Sequence, residues 1–366
     1  MANKTGIEWS DYTWNPIRGC SRVTDGCRNC YAEDQAARIV KQDRERGVPE
    51  GEGAYDGLLA RGGQWNGQIK IVPELLDQPI RWTKPRKIFV NSMSDLFHEN
   101  VSEETIQRIF AVMASSPQHQ FQILTKRAKR MRDVLKGKDL RWVVNAQMAL
   151  TNEGVIPPGN HNISWPLSNV WLGVSVEDQA TANERVPYLL DTPAAVRWLS
   201  MEPLLGPVSL CDLENHTHLA DGQPLLQALS GLVSDGASDI AEIAGLDWVV
   251  VGGESGPEAR PMHPHWATNL RDECASAGVP FLFKQWGEWA PRSNCIHVLT
   301  SGLSGSDMDP QCHLWPVIRL TYSGGNGREL SEVCDQGEDI YMQRVGRELA
   351  GRELYGALYD GYPSIE

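Results

Sequence analysis

Short runs of β-branched and aromatic residues alternate with amphipathic helical patterns along most of the chain. The predicted strands lie at about 13–17, 87–91, 121–125, 170–176, 196–201, 248–252 and 280–285. Helical patterns lie between them at about 31–46, 103–115, 126–135, 179–190 and 265–277. Strands that alternate with helices in this way build a parallel sheet, which is either open and doubly wound or curved into a barrel. The order of elements therefore restricts the chain to the α/β class.

Polar groups follow every one of the predicted strands. In chain order they are the segment Cys20 to Cys30; Asn91, Ser92, Ser94 and Asp95; Thr125, Lys126 and Arg127; Ser175 and Glu177; Ser200 and Glu202; Gly252, Gly253, Glu254 and Ser255; and Lys284, Gln285 and Trp286. Turn formation explains any single Ser or Asp after a strand, but it does not predict polar groups after all of them. In a barrel these ends converge on one rim. We therefore predict an α/β fold with a partial (β/α) barrel of about six to seven parallel strands and loop insertions.

The predicted barrel covers residues 1–290, with insertions at about 48–67, 137–169 and 206–245. Residues 291–366 are predicted to form an extension that packs on the barrel, including a helix at about 339–355. The first ten residues are polar and do not resemble a secretory signal peptide, and no apolar run is long enough for a transmembrane helix. Eight cysteines in 366 residues are too few for a disulfide scaffold. We therefore expect a cytoplasmic protein without a membrane partner.

Three cysteines, Cys20, Cys27 and Cys30, lie within eleven residues of one another. Thiolates bind iron and zinc strongly, so a shared metal or cluster is the best explanation of this grouping. A site with three protein ligands leaves one position open, which is typical of a chemical role. Two alternatives remain: a structural zinc completed by a fourth residue, and three independently buried thiols.

Several short motifs resemble those of the phage-associated three-cysteine-motif family. They are residues 6–10 (GIEWS), 14–16 (WNP), 19–20 (GC), 26–27 (GC), 30–31 (CY), 92–97 (SMSDLF), 124–127 (LTKR), 171–175 (WLGVS), 200–204 (SMEPL), 252–256 (GGESG) and 283–287 (FKQWG). The match covers nearly the whole chain. This uncharacterised family resembles radical S-adenosylmethionine (SAM) enzymes and is similar in layout to spore photoproduct lyase. The resemblance implies a radical-SAM-like barrel and, for a phage-encoded protein, action in the host cytoplasm.

The resemblance also implies the cofactors. Cys20, Cys27 and Cys30 would hold a 4Fe-4S cluster, and SAM would bind the remaining iron. One electron would cleave SAM to a 5′-deoxyadenosyl radical that abstracts hydrogen from the substrate. The spacing here is C-x6-C-x2-C rather than the usual C-x3-C-x2-C, and Tyr31 follows the third cysteine where an aromatic residue normally precedes it. Because the cost of loop closure changes slowly with length, the longer gap is compatible with three-point ligation.

Cofactor contacts are expected at four of the strand ends. Asn91, Ser92, Ser94 and Asp95 are the candidates for the SAM ammonium group, Lys126 or Arg127 for its carboxylate, and Ser175, Glu177 and Glu202 for its ribose or methionine. Substrate contacts are expected from Glu254, His263, Lys284 and Trp286. An electron donor such as flavodoxin or ferredoxin, and a neighbouring phage-encoded protein, are the partners that the resemblance implies.

Basic residues are concentrated at 81–87 and 125–141, in a chain whose formal net charge is −13. Such patches bind the phosphates of a nucleotide or nucleic-acid substrate, which is one interpretation. A solvated helical face offset by acidic neighbours is the other.

A zinc enzyme or a zinc-stabilised nucleic-acid-binding protein is the alternative function. The same cysteines would bind Zn²⁺, and His98, His263 or His265 would supply a further ligand. A non-catalytic partner protein is a third class, which the recurrence of polar groups at the strand ends disfavours.

Overall fold

The computed structural model describes residues 5, 7–158, 163–211, 213–214, 225–234, 240–291, 317–320 and 340–364. The chain divides into two compact units. The first unit is Met1–Val174 with Tyr188–Trp198, and the second is Ser175–Pro187 with Leu199–Glu366. No helix within the described ranges combines the length and the apolar character that crossing a bilayer requires.

The secondary structure alternates as predicted. The strands are β1 (Tyr12–Trp14), β2 (Ile17–Arg18), β3 (Lys70–Ile71), β4 (Lys87–Val90), β5 (Gln120–Thr125), β6 (Val170–Ser175), β7 (Val196–Met201), β8 (Leu213–Glu214), β9 (Leu225–Gln227), β10 (Leu232–Ser234), β11 (Ile240–Glu242), β12 (Trp248–Gly252), β13 (Phe281–Gln285), β14 (Trp289–Pro291), β15 (Val317–Leu320) and β16 (Ile340–Arg344). The α-helices are α1 (Tyr31–Glu45), α2 (Glu103–Ala114), α3 (Ala128–Leu135), α4 (Leu140–Asn152), α5 (Gln179–Leu190), α6 (Pro264–Ala277) and α7 (Arg347–Ala350). Short 3-10 helices occur at Asp25–Cys27, Pro73–Leu75 and Gln78–Arg81.

Seven strands form one parallel sheet in the order β1-β4-β5-β6-β7-β12-β13. The register of adjacent strands is regular: Ile88 of β4 lies between Tyr12 of β1 and Phe121 of β5. The strands are buried, as expected where helices cover a parallel sheet. The predicted fold class, an α/β protein with a partial (β/α) barrel, is confirmed.

The predicted first strand is divided in two. β1 pairs with β4 in parallel, whereas β2 pairs with β3 in an antiparallel fashion. Pro16 lies between them and has no N–H to donate to a ladder, so a continuous strand would lose a hydrogen bond there. The chain thus leaves the parallel sheet just before the cysteine segment.

In the first unit, α2 begins as the sequence predicts. The Ser102 side chain accepts a hydrogen bond from the Thr105 N–H, and the apolar stripe of the helix is buried. The segment 137–169 contains α4, which packs against α2 and places Trp142 beside Phe110 and Trp165. This part of the predicted insertion is therefore an integral layer of the first unit.

The prediction of a helix at about 339–355 was wrong. Residues Ile340–Arg344 form β16, which pairs in an antiparallel fashion with β14 and β15, and only Arg347–Ala350 are helical. The β-branched and aromatic residues Ile340 and Tyr341 favour the strand, and glycines lie on both sides of the short helix. Asp339, most of the segment 291–366 and parts of 206–245 lie outside the described residues, and the domain boundaries stay a prediction.

The core of the first unit gives a stability prediction. Gly173 in β6 lies against the indole of Trp198, and a Cβ at Gly173 would overlap the ring atoms. We expect Gly173→Ala to lower the free energy of unfolding by about 1–3 kcal/mol, because neither the buried ring nor the strand has room to move. Chemical denaturation measures this loss. Gly206→Ala is the control, because a Cβ at Gly206 would lie 3.5 Å from its nearest neighbour, an ordinary contact distance. An equal loss of stability in Gly206→Ala would contradict the explanation.

Candidate functional site

The three cysteines lie on one loop between β2 and α1. The loop begins at Gly19, whose φ of +89° and close approach to the Gln68 carbonyl leave no room for a side chain. Gly19 also pairs with Ser94, just beyond the carboxyl end of β4. The loop ends at Cys30, the residue that precedes the first turn of α1. The cysteine loop is therefore attached to the edge of the sheet where β4 ends.

The three thiols influence one another electrostatically. The pKa of the Cys20 thiol is raised to about 12, mainly by burial and to a smaller extent by Asp95 and Cys30. Burial also raises the pKa of Cys30, and Cys27 adds to the increase. Without a nearby metal, Cys20 and Cys30 are thus neutral thiols at pH 7. A bound metal would supply the positive charge that stabilises them as thiolates.

Arg127 connects the cysteine loop to two acidic residues. Its Nη1 atom lies 3.9 Å from the Cys20 Sγ and 3.0 Å from the Asp95 Oδ2. Its Nε donates to Glu99 Oε1 at 2.9 Å, and its Nη2 donates to Ser21 Oγ at 2.7 Å. Burial by itself would lower the pKa of Arg127, but Asp95 and Glu99 raise it above its usual value. Arg127 therefore stays charged beside the Cys20 thiol.

Asp95 is buried and accepts hydrogen bonds from several donors. Its carboxylate accepts from the Thr125 hydroxyl at 2.8 Å and from the backbone N–H groups of Phe97 and Lys126 at 2.9 and 3.3 Å. Together with the Arg127 ion pair, these bonds use both oxygens. Asp95 and Arg127, two predicted cofactor ligands, thus hold each other and join the ends of β4 and β5.

Asn91 differs from the other polar residues that follow β4. Ser92 Oγ donates to Asn15 Oδ1 at 3.2 Å, and Ser94 Oγ donates to the Ile17 carbonyl at 2.9 Å. Asn91 is 4% exposed and has a left-handed backbone, with φ of +59°. Neither Oδ1 nor Nδ2 of Asn91 has a hydrogen-bond partner among the described residues. A buried amide without partners is costly, so Asn91 is a candidate ligand contact.

In the second unit, Glu202 and Lys284 form an ion pair at the ends of β7 and β13. Lys284 Nζ lies 2.8 Å from both Glu202 oxygens. Gln285 Nε2 donates to Glu202 Oε1 at 3.1 Å and to Ser255 Oγ at 3.0 Å. The Lys284 and Glu202 side chains retain 13% and 20% exposure. The structure thus brings together a residue predicted to bind cofactor and one predicted to bind substrate.

Two other predicted carboxylates form buried ion pairs with arginines. Glu177 accepts from Arg185 Nη1 at 3.0 Å, and the same nitrogen donates to the Ser175 carbonyl at 2.8 Å. Glu254 accepts from the Arg260 Nε at 2.8 Å. These contacts join strand ends to the segments that follow them and give both carboxylates a structural role.

His263 and Trp286 lie in the packed interior of the second unit. His263 is fully buried, and its Nδ1 accepts a hydrogen bond from the His265 N–H at the start of α6. Trp286 is 1% exposed, and its Nε1 donates to the Glu353 carbonyl at 2.8 Å. The structure does not place these two predicted substrate contacts on an accessible surface, because helix capping and core packing use them.

Five basic residues between positions 129 and 141 have acidic partners. The ion pairs are Lys129–Asp133, Arg132–Asp191, Lys136–Asp191, Lys138–Glu103 and Arg141–Asp139. The positive charge of this segment is thus largely offset within the first unit.

The geometry also bears on metal binding. His98 Nε2 lies 3.0 Å from Ser21 Oγ, and His98 Nδ1 accepts a hydrogen bond from the Asn100 N–H, so both nitrogens are in use. Among the residues that the structure describes, no group of three or more His, Cys, Asp or Glu is arranged to hold a metal ion. A mononuclear zinc site requires its sulfurs within about 4 Å of one another, given Zn–S bonds of about 2.3 Å. In a 4Fe-4S cluster each cysteine binds a different iron, so its sulfurs need not approach one another as closely as in a zinc site. Three cysteine thiols are the type of ligand that such a cluster takes.

Two residues of this site were missed by sequence reasoning. Arg22, in the cysteine loop, donates to both carboxylate oxygens of Glu33, which lies in the first turn of α1. Glu33 is buried and also accepts from the Trp65 N–H at 2.9 Å. The charge of Arg22 between two cysteines was a visible signal, but its partner is apparent only in the folded loop.

A family profile matches nearly the whole chain. The profile of a family described as "Protein of unknown function (DUF5131)" matches residues 4–363. No curated protein matches the sequence. Solved structures of spore photoproduct lyase variants, one with a dinucleoside spore photoproduct, are similar at a TM-score of 0.31 and 9% identity. The similar region covers 56% of this chain and about half, 48%, of the lyase chain.

The Asp95–Arg127 pair gives a second stability prediction. We expect Asp95→Asn to lower the free energy of unfolding by about 3–5 kcal/mol, because it removes the charge that faces a buried guanidinium. The matched control is Asp133→Asn, which removes an exposed partner of Lys129 and is expected to cost less than about 1 kcal/mol. Urea denaturation of both variants measures the difference, and equal losses would show that burial of the pair is unimportant.

Proposed function

The chain belongs to the DUF5131 family of proteins of unknown function, and we propose that it is a radical SAM enzyme whose 4Fe-4S cluster is held by Cys20, Cys27 and Cys30. The observation that carries the proposal is the position of three thiols on one loop that is attached to the sheet edge where β4 ends. Catalytic groups of parallel α/β proteins lie at the carboxyl ends of the strands, which is the edge in question.

The donor set supports a cluster rather than independent thiols. Thiolates are the usual ligands of iron–sulfur clusters, and three of them leave one iron for an exchangeable ligand. When bound, the cluster supplies one electron that splits SAM into methionine and a 5′-deoxyadenosyl radical, which abstracts hydrogen from a substrate. The loop supports this role by holding Cys20 and Cys30 against the apolar cluster that includes Ala32, Trp65 and Met93, which limits access of water.

Asn91 is the residue that we propose for SAM recognition. Its amide has an unused acceptor and unused donors, which match the ammonium and carboxylate groups of the SAM methionine. Its position directly after β4 puts it in the same segment as Met93 and Ser94, which pair with the backbone of Gly19. The Asp95–Arg127 pair then acts by fixing this segment rather than by meeting the ligand.

The central test is reductive cleavage of SAM. Anaerobic protein reconstituted with iron and sulfide, then mixed with dithionite and SAM, is expected to form 5′-deoxyadenosine. Cys20→Ala, Cys27→Ala and Cys30→Ala should each abolish it, because each removes one ligand. Cys211→Ser, a part-buried cysteine outside the loop, is the matched control and should retain the activity of the wild type. Product formation that survives the three loop substitutions would refute the proposal. Tight binding of Zn²⁺ by the wild type, in place of iron and sulfide, would favour the zinc alternative.

Asn91 gives a binding prediction that is separate from catalysis. Asn91→Gly removes the amide but suits a φ of +59°, so the fold should be as stable as the wild type or slightly more so. The affinity for SAM should fall about tenfold, because a buried hydrogen-bonding group is lost. Equilibrium dialysis of the reconstituted protein measures affinity, and thermal denaturation checks stability. Unchanged SAM binding in a stable variant would exclude Asn91 as a contact.

A further inference from the structure

Two arginines lie close to the cysteines of the loop. Arg127 lies beside Cys20, with 3.9 Å between its Nη1 and the sulfur. Arg22 lies on the loop itself, and its Nη2 donates to the Arg28 carbonyl at 3.1 Å, next to Cys27. Glu33 is the main cause that raises the pKa of Arg22, and Cys30 and Cys27, as the thiolates that a metal would stabilise, would raise it further. The three sulfurs are thus within the electrostatic reach of two separate cations.

Buried carboxylates hold both cations in place. Glu33 is 6% exposed at its side chain and accepts Arg22 through both oxygens, the shorter distance being 2.5 Å. Asp95 is 8% exposed at its side chain and lies 3.0 Å from Arg127. Each carboxylate is itself fixed by backbone N–H donors, from Trp65 and Phe97 respectively. The Arg127 guanidinium is therefore buried with its partner, whereas Arg22 is exposed and is oriented by its contacts with Glu33 and the Arg28 carbonyl.

Fixed charges next to a redox centre affect the two oxidation states unequally. One-electron reduction of a cluster adds a negative charge at the position of the thiolates, and a nearby cation stabilises the reduced form more than the oxidised form. Screening by water weakens this effect, so the cation that is more buried has the larger influence. Arg127 is 5% exposed at its side chain, whereas Arg22 is 33% exposed.

We propose that Arg22 and Arg127 are positioning residues that raise the reduction potential of the cluster, with Arg127 the stronger of the two. The inference rests on the proposed function, because it requires a cluster on Cys20, Cys27 and Cys30. It extends that function by assigning control of electron uptake to two arginines outside the ligand set, each held by its own carboxylate.

The test measures the potential of the cluster rather than the activity of the enzyme. Wild type, Arg127→Gln and Arg22→Gln are reconstituted and titrated with dithionite at controlled potentials, and the reduced cluster is quantified by electron paramagnetic resonance. At one fixed potential, Arg127→Gln should lower the ratio of reduced to oxidised cluster about tenfold, which corresponds to about 59 mV for one electron. Arg22→Gln should lower the ratio in the same direction by a smaller factor.

Two matched variants separate local charge from other effects. Arg127→Lys keeps the positive charge and should retain most of the wild-type ratio, although it loses the forked contacts to Asp95 and Glu99. Arg44→Gln removes a positive charge from the same unit, at an ion pair with Asp56, and should leave the potential unchanged. Iron and sulfide content checks that each variant carries the same cluster.

Each outcome bears on a different claim. A wild-type protein that takes up no iron and sulfide would refute the proposed function itself. A cluster that assembles normally, with wild-type potentials in both glutamine variants, would overturn this inference and leave the proposed function intact. A shift in Arg44→Gln as large as that in Arg127→Gln would also overturn it, because the effect would then reflect net charge. If Arg127→Gln fails to bind the cluster, Arg22→Gln and Arg127→Lys decide the question.

Discussion

The buried ion pair between Asp95 and Arg127 organises the first unit around the cysteine loop. Asp95 comes from the segment after β4 and Arg127 from the segment after β5, so their contact joins two neighbouring strand ends. Arg127 then reaches Ser21 and the Cys20 sulfur. Because a charge that is buried without its partner is very costly, the pair ties the position of the loop to the position of the sheet. The loop, though exposed in part, is therefore held at a defined place on the sheet edge.

The same arrangement is repeated on the opposite part of the loop. Glu33 extends from α1 and holds Arg22, as Asp95 holds Arg127. In both cases an acidic residue with few accessible atoms orients a guanidinium whose charge acts on cysteines. The thiols thus lie among cations that are fixed by carboxylates, and Asn91 supplies uncommitted polar atoms at the end of β4. Such preorganised polar groups are the surroundings that the proposed cluster site requires.

Local sequence patterns predicted much of the architecture. The seven parallel strands, the Ser102 cap of α2 and the apolar face of that helix all follow from periodicity and capping chemistry. Prediction failed where a local pattern competed with tertiary pairing. Where a helix was predicted at about 339–355, residues 340–344 instead form β16 and only 347–350 are helical, because pairing with β14 and β15 outweighs the local helical preference. Similarly, Trp286 and His263 follow or precede regular elements as site residues often do, yet core packing and helix capping use them.

By itself, the sequence determined the class of the fold, the grouping of three thiols on one loop and the presence of polar residues after each strand, because these depend on spacing along the chain. Only the tertiary structure decided which of those polar residues are committed to one another. Asp95 and Arg127, or Glu202 and Lys284, are far apart in sequence, and each was a plausible ligand contact until the fold brought it to its partner. Asn91 is identified for the opposite reason: its amide is buried without a hydrogen-bond partner among the described residues. Whether a polar group is satisfied depends on what surrounds it in space, and no local pattern contains that information.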